Sequence, residues 1–170
     1  MGNNPHRRGG IIMLMIAWII LFGGAYWYFE GSLTRNANPN RAEVLVLQHG
    51  EVRLQRNQEG HYLAQGEING QRVTFLVDTG ASRIALSPGL AQKLALARGT
   101  AVTVQTANGA ARAYQTRLQT VQLGSIVVHD VAALITTGLD NDTVLLGMSF
   151  LKRMEFTQRG SELTLKPLHL

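Results

Sequence analysis

The feature that most constrains this chain is an apolar strand that ends in an acid, a hydroxyl residue and a glycine, at residues 75–82. Strand residues alternate between two faces, and both faces around Phe75 are apolar, so we expect both to be buried. Asp78 then lies at the edge of a core, where a carboxylate is costly unless it is hydrogen-bonded or shares a proton. Gly80 allows backbone conformations that other residues avoid. These residues also occur in ordinary strand-ending turns, so the tripeptide alone leaves a purely structural turn open.

The N-terminal part of the chain contains a long uncharged segment, residues 11–29. A helix of this length spans roughly 28 Å, close to the hydrocarbon thickness of a bilayer, and its end is rich in aromatic residues. The basic pair Arg7 and Arg8 predicts that residues 1–10 stay in the cytoplasm. We therefore expect a transmembrane helix of a single-pass inner (cytoplasmic) membrane protein with a periplasmic or otherwise extracytoplasmic domain. A cleaved secretory signal is the alternative.

The remainder divides into a linker and one domain. Residues 30–42 are rich in polar and turn-forming residues and are predicted to be the linker, and the domain is predicted to cover residues 43–170. The chain has no cysteine, which excludes disulfides, thiolate metal sites and a cysteine nucleophile. No His, Asp or Glu cluster has metal-ligand spacing, and no aromatic-rich basic face stands out. We expect no metal, no cofactor and no nucleic acid.

Turn and cap signals divide this domain into short elements. Asn69-Gly70 and Asn108-Gly109 are two-residue hairpin turns between alternating segments. Ser87-Pro88 predicts the start of a helix, with serine as N-cap and proline at the first helical position. About nine short strands with one or two short helices predict an all-β domain, either a closed barrel or a sandwich.

Three segments, in this order, resemble those of the retropepsin-like aspartic proteases, the single-lobe relatives of pepsin and of the retroviral proteases. The resemblance covers roughly residues 50–166 and is greatest to bacterial members that carry an N-terminal membrane anchor. The helix predicted from Met148 also follows the last segment, as in that family. The segments are the catalytic turn (Asp78, Thr79, Gly80, Ala81, Ser82), the flap hairpin (Thr106, Ala107, Asn108, Gly109) and the segment behind the turn (Leu145, Leu146, Gly147).

The resemblance implies that water is activated between two aspartates that share one proton, with no covalent intermediate. It implies that Thr79 braces two paired turns, that Gly80 allows their close approach and that the Ser82 hydroxyl bonds the outer carboxylate oxygen. Only Asp78 lies in an Asp-Thr-Gly turn here, so we expect a homodimer to supply it twice. Viral members usually carry an arginine at the position of Met148, so we expect the subunit contact there to differ.

We therefore expect a membrane-anchored aspartic endopeptidase that acts on polypeptides. The alternative is a non-catalytic module of the cell envelope that uses the same fold to bind peptides or to dimerise. A serine triad built on Ser82 or Ser87 would lack the Gly-x-Ser-x-Gly elbow. Loss of cleavage on removal of Asp78 separates the enzyme from the binding module.

Overall fold

The computed structural model of the chain describes residues 13, 15–27, 38–40, 45–46, 50–106, 109–140 and 142–168. The chain forms two compact units, Met1–Ala37 and Asn38–Leu170. In the first unit, residues 13 and 15–27 are helical, and their large apolar side chains are exposed. Within the described part of the chain, no helix has both the length and the apolar character that a membrane span needs. The predicted segment 11–29 extends past the described residues at both ends, and residues 1–10 lie outside them.

The second unit is mostly β-structure, as predicted, and its described residues form eleven strands and two short helices. The strands in chain order are β1 (Leu45–Val46), β2 (Val52–Gln55), β3 (Leu63–Ile68), β4 (Gln71–Val77), β5 (Ile84–Leu86), β6 (Ala101–Thr106), β7 (Gly109–Leu123), β8 (Ile126–Thr136), β9 (Thr143–Leu146), β10 (Met154–Arg159) and β11 (Glu162–Pro167). The helices are α1 (Pro88–Lys93) and α2 (Met148–Leu151).

Six of these strands close into a barrel in the order β3-β4-β9-β5-β8-β7. The closure is a short antiparallel pairing in which Glu67 and Ile68 of β3 lie opposite Gln122 and Val121 of β7. Gly66 permits this approach, because a Cβ there would lie 2.4 Å from the Gln122 carbonyl oxygen. The closed-barrel alternative is thus confirmed, and β6 pairs with β7 outside the ring.

The other four strands form an antiparallel sheet in the order β1-β2-β11-β10, which joins the beginning of the domain to its end. Asn40 ties this sheet to the barrel. Its Oδ1 accepts from the Gln55 N–H (2.7 Å), and its Nδ2 donates to the carbonyl oxygens of Gln55 (2.8 Å) and Leu63 (2.7 Å). Asn40 is buried, and the compact unit starts at Asn38, whereas the sequence placed the domain start at residue 43.

Local sequence signals explain two elements that position the site. Asn69 and Gly70 have φ angles of 51° and 77°, as a two-residue hairpin between β3 and β4 requires, so this predicted turn is confirmed. The Ser87 side chain accepts a hydrogen bond from the Leu90 N–H (3.1 Å), and the predicted cap of α1 is also confirmed.

The strand that precedes the acid, β4, is buried on one face only. Val73 and Phe75 point into the barrel and are buried, whereas Thr74 and Leu76 on the outer face are partly exposed. The expectation that both faces are buried is therefore wrong for the single chain. A strand in a barrel has one face inside and one outside, and the outer face is buried only where something covers it.

Candidate active site

The turn that carries Asp78 is held from behind by β9, which lies parallel to β4 with Leu76 opposite Leu145 and Val77 opposite Leu146. The Asp78 N–H donates to the Leu146 carbonyl oxygen at 3.2 Å. The main chain of the turn is therefore attached to a strand that comes much later in the sequence.

Gly147 passes so close to the turn that a side chain would not fit. A Cβ at this position would lie 2.4 Å from the carbonyl oxygen of Arg83 and 2.6 Å from that of Ala81. Its backbone is extended (φ −90°, ψ −173°), a conformation open to any residue. The glycine is needed here for space and not for its conformational freedom.

The Asp78 carboxylate is oriented by the turn itself. Its Oδ1 accepts a hydrogen bond from the Gly80 N–H at 2.8 Å. Within the described residues this is the one hydrogen bond to the carboxylate, and the Ser82 hydroxyl makes none to it. The side chains of Ser82 and Thr79 are exposed, and so is Gly80. Asp78 itself is partly exposed.

Ser149 also supports the site, and it was not among the residues singled out from the sequence. Its Oγ accepts a hydrogen bond from the N–H of Ile84 at 2.9 Å, which anchors the start of β5 to α2. Ile84 is fully buried, so its N–H needs a partner. A serine one residue after Met148 carries no local signal of this role, because the partner lies far away in the sequence.

Asp78 lines a cleft of about 810 Å³, within the size range of ligand-binding clefts. Asp78 is the one acidic residue among the described residues that line it. The catalytic turn contributes Gly80, Ala81 and Ser82, and the segment behind it contributes Leu145. The apolar side chains of the walls are Ala81, Ala85, Val104, Ala110, Ala111, Leu134, Leu139 and Leu145. The cleft is therefore partly apolar, and its charged lining residues among those described are Asp78 and Arg83.

The hairpin between β6 and β7 forms one wall of the cleft. Thr106 and Gly109 face each other across the two strands, and the Thr106 hydroxyl donates to the Gly109 carbonyl oxygen at 2.8 Å. Both residues line the cleft. Ala107 and Asn108, the predicted tip of the hairpin, lie outside the described residues.

The geometry agrees with a match to a known family. The family model described as "gag-polyprotein putative aspartyl protease" matches residues 64–153, which include Asp78 and Gly147. The chain belongs to the retropepsin-like aspartic protease family. It is 34% identical to a retropepsin-like aspartic protease from Rickettsia conorii of known crystal structure, with a TM-score of 0.56 over 68% of this chain and 88% of that chain.

Two curated proteins are also related to this retropepsin-like chain. An uncharacterized protein in the cobV 5′ region of Sinorhizobium sp. is 35% identical over 95% of this chain and 76% of its own length. The uncharacterized protein RP867 of Rickettsia prowazekii is 36% identical over 62% of this chain and 46% of its own length. Family membership supports peptidase activity in general. Over the residues that the structure describes, no group of His, Asp or Glu side chains is arranged to hold a metal ion.

Proposed function

We propose that this chain is an aspartic endopeptidase whose active centre contains two Asp78 carboxylates, one from each protomer of a homodimer. The observation that carries the proposal is the setting of Asp78. It stands in the cleft on a turn attached to Leu146, and the Gly80 N–H orients its carboxylate. A carboxylate placed in this way can act on a bound peptide.

The chemistry follows from the closeness of two like charges. Two carboxylates a few ångströms apart do not both ionise readily, so the pair holds one proton. The ionised acid takes a proton from a water molecule, and the oxygen of that water attacks the peptide carbonyl carbon. The protonated acid gives its proton to the carbonyl oxygen. Collapse of the tetrahedral species then breaks the C–N bond. The acid that took the proton from water gives it to the leaving amine nitrogen, and the other carboxylate takes a proton from a hydroxyl of the tetrahedral species, which restores the pair.

The need for a second copy of the chain rests on two observations: the number of Asp-Thr-Gly aspartates in one chain and the exposure of the residues around Asp78. The sequence contains one Asp-Thr-Gly turn. Thr79 and Gly80 in this turn are exposed, and so is Ser82 just after it. The outer face of β4 is also partly exposed at Leu76. A two-fold axis beside the turn would bring the two Asp78 residues together and cover these groups. Met148 packs against the core of its own domain, which favours a subunit contact unlike that of the viral enzymes.

We further propose that residues 11–29 anchor the enzyme in the cytoplasmic membrane and that the domain acts outside the cytoplasm. The segment is uncharged and follows two arginines, and the large apolar side chains of its described part are exposed. Two anchored protomers share one membrane, which raises their effective concentration and favours the dimer. We expect the full chain to remain in the membrane fraction after a carbonate wash. We also expect protease added to spheroplasts to digest the domain. A chain that washes off the membrane contradicts the anchor.

The test of the catalytic proposal compares the full chain with its Asp78→Asn variant on a diverse peptide mixture between about pH 4 and 7. We expect the substitution to lower the cleavage rate about 10²- to 10⁴-fold, the range for removal of a general acid or base. Asp142→Asn is the matched control, because Asp142 is exposed and does not line the cleft. Full activity of Asp78→Asn would refute the proposal. If a protein shown to be dimeric cleaves nothing, the binding-module alternative gains support.

A further inference from the structure

The cleft around Asp78 continues into a longer groove. Arg83, next to the turn, lines the cleft and also two hollows beyond it, of about 210 Å³ and 510 Å³. Val104 and Leu134 are shared by the cleft and the nearer hollow, and Gln115 by the two hollows. The three spaces therefore lie next to one another, and we take them as successive parts of one groove.

This groove follows β7 away from the acid. The strand contributes residues 109–111 to the cleft, Gln115 to the nearer hollow and residues 115–117 to the outer one. At about 3.3 Å per residue, the stretch from Gly109 to Arg117 is roughly 26 Å long. An extended peptide of about eight residues has this length, so one substrate can reach both ends.

The far end of the groove is basic. The outer hollow is lined by the arginines Arg83, Arg98 and Arg117, and no acidic residue is among its described lining residues. Arg117 pairs with Asp130, which offsets part of this charge. The guanidinium of Arg98 lies 5.6 Å from the centre of the Tyr114 ring, and a cation–π contact of this kind leaves its N–H groups able to donate.

The wall that carries Arg98 is attached firmly to β7. The Gly99 N–H donates to the Gln115 carbonyl oxygen (2.8 Å), and the Gln115 N–H donates to the Thr100 carbonyl oxygen (3.0 Å). A Cβ on Gly99 would lie 2.8 Å from the same Gln115 oxygen, so the glycine allows the segment to approach. These bonds hold the segment after α1 against β7, in the wall of the basic hollow.

We propose that the outer hollow is a subsite for an acidic side chain of the substrate. The groove thereby selects polypeptides that carry a glutamate or aspartate several residues from an apolar cleavage site. This inference rests on the proposed function, because it takes the groove to be the substrate cleft. Arg83, Arg98 and Arg117 are specificity residues that bind the carboxylate and take no part in the chemical step.

Binding to the full chain with Asp78→Asn tests the subsite independently of catalysis. The probes are short fluorescent peptides with a central pair of leucines and blocked ends, in which one glutamate moves through every other position. A matched set carries glutamine. Blocked ends exclude a terminal carboxylate as the ligand. We expect one position at which the glutamate peptide binds about fivefold more tightly, the size of a partly exposed ion pair, and a preference that weakens as salt is raised.

Arginine substitutions show which residues cause the preference for the glutamate peptide. In the Asp78→Asn background, Arg83→Gln, Arg98→Gln and Arg117→Gln should each reduce it, whereas Arg159→Gln should not, because Arg159 lies on the four-stranded sheet away from the groove. Three outcomes would each refute the subsite. They are equal binding of the two peptide sets at every position, no binding of either set, and a glutamate preference that all three variants retain. Cleavage by the chain that retains Asp78 is measured separately. Selective binding without cleavage would refute the peptidase and leave the acid-binding groove in place.

Discussion

The N–H of Met148 donates to the carbonyl oxygen of Ala81 at 2.8 Å, which joins the acid-bearing turn to the first residue of α2. Gly147 lies between this bond and β9 and has no room for a side chain. The position of the carboxylate thus depends on backbone contacts with residues that follow β9, far from Asp78 along the chain.

Substitution of Gly147 by alanine should disturb both stability and catalysis. The added Cβ overlaps two carbonyl oxygens, and overpacking of this kind costs about 1–3 kcal/mol of unfolding free energy. Gly70→Ala is the comparison for backbone strain alone, since Gly70 has open space around it and only its φ of 77° opposes a side chain. Urea unfolding and peptide cleavage measure the two effects. A Gly147→Ala protein with unchanged stability and cleavage would show that the turn does not need this close contact.

Loss of the Ser149 hydroxyl should weaken the support of β5. In Ser149→Ala the buried Ile84 N–H loses its acceptor, which costs about 1–3 kcal/mol. Ser161→Ala is the matched control, because Ser161 is exposed and bonds Gln55 at 3.5 Å; its effect should stay within about 0.5 kcal/mol. Urea unfolding compares the two variants. Equal stability of both would mean that another group satisfies Ile84.

Replacement of Asn40 by alanine should destabilise the domain. The change removes three hydrogen bonds and leaves polar groups of Gln55 and Leu63 without them, at an expected cost of about 2–4 kcal/mol. Gln58→Ala, at an exposed position, is the control. A chain shortened to begin at residue 43 should show the same loss, and one that begins at Asn38 should not. Identical urea midpoints for the two shortened chains would contradict this role of Asn40.

Mixed dimers should reveal whether both copies of Asp78 are needed. When unmodified protein and Asp78→Asn protein are mixed equally and exchange subunits at random, about a quarter of the dimers contain two intact acids. We expect activity to fall to about this fraction, and hybrids isolated with two different tags to be inactive. Activity near half would show that one Asp78 is sufficient.

Features set by neighbouring residues were predictable from the sequence. Asn69-Gly70 makes its turn because both residues tolerate positive φ, and Ser87 caps α1 because its acceptor lies three residues from the donor. The family segments around Asp78 were identified for a similar reason, since each is a short contiguous motif.

Features that join distant residues were not predictable in the same way. The roles of Asn40 and Ser149 depend on partners far along the chain, and neither residue lies in a recognisable motif. Alternation in β4 indicated two faces but not what covers each, which is why burial of the outer face at Leu76 was wrongly expected. The hydrogen bond to Asp78 comes from the backbone N–H of Gly80. Every residue type except proline has this N–H, so the residue type at position 80 did not indicate the bond.

The pairing of β4 with β9 has a consequence for the order of events during synthesis. Asp78 emerges from the ribosome long before Leu146 and Met148, whose backbone groups hold its turn in place. A nascent chain, or one cut short before α2, carries the acid but lacks these contacts. The turn that bears Asp78 therefore reaches its final position only after the chain has been synthesised through α2, although the acid itself is made much earlier.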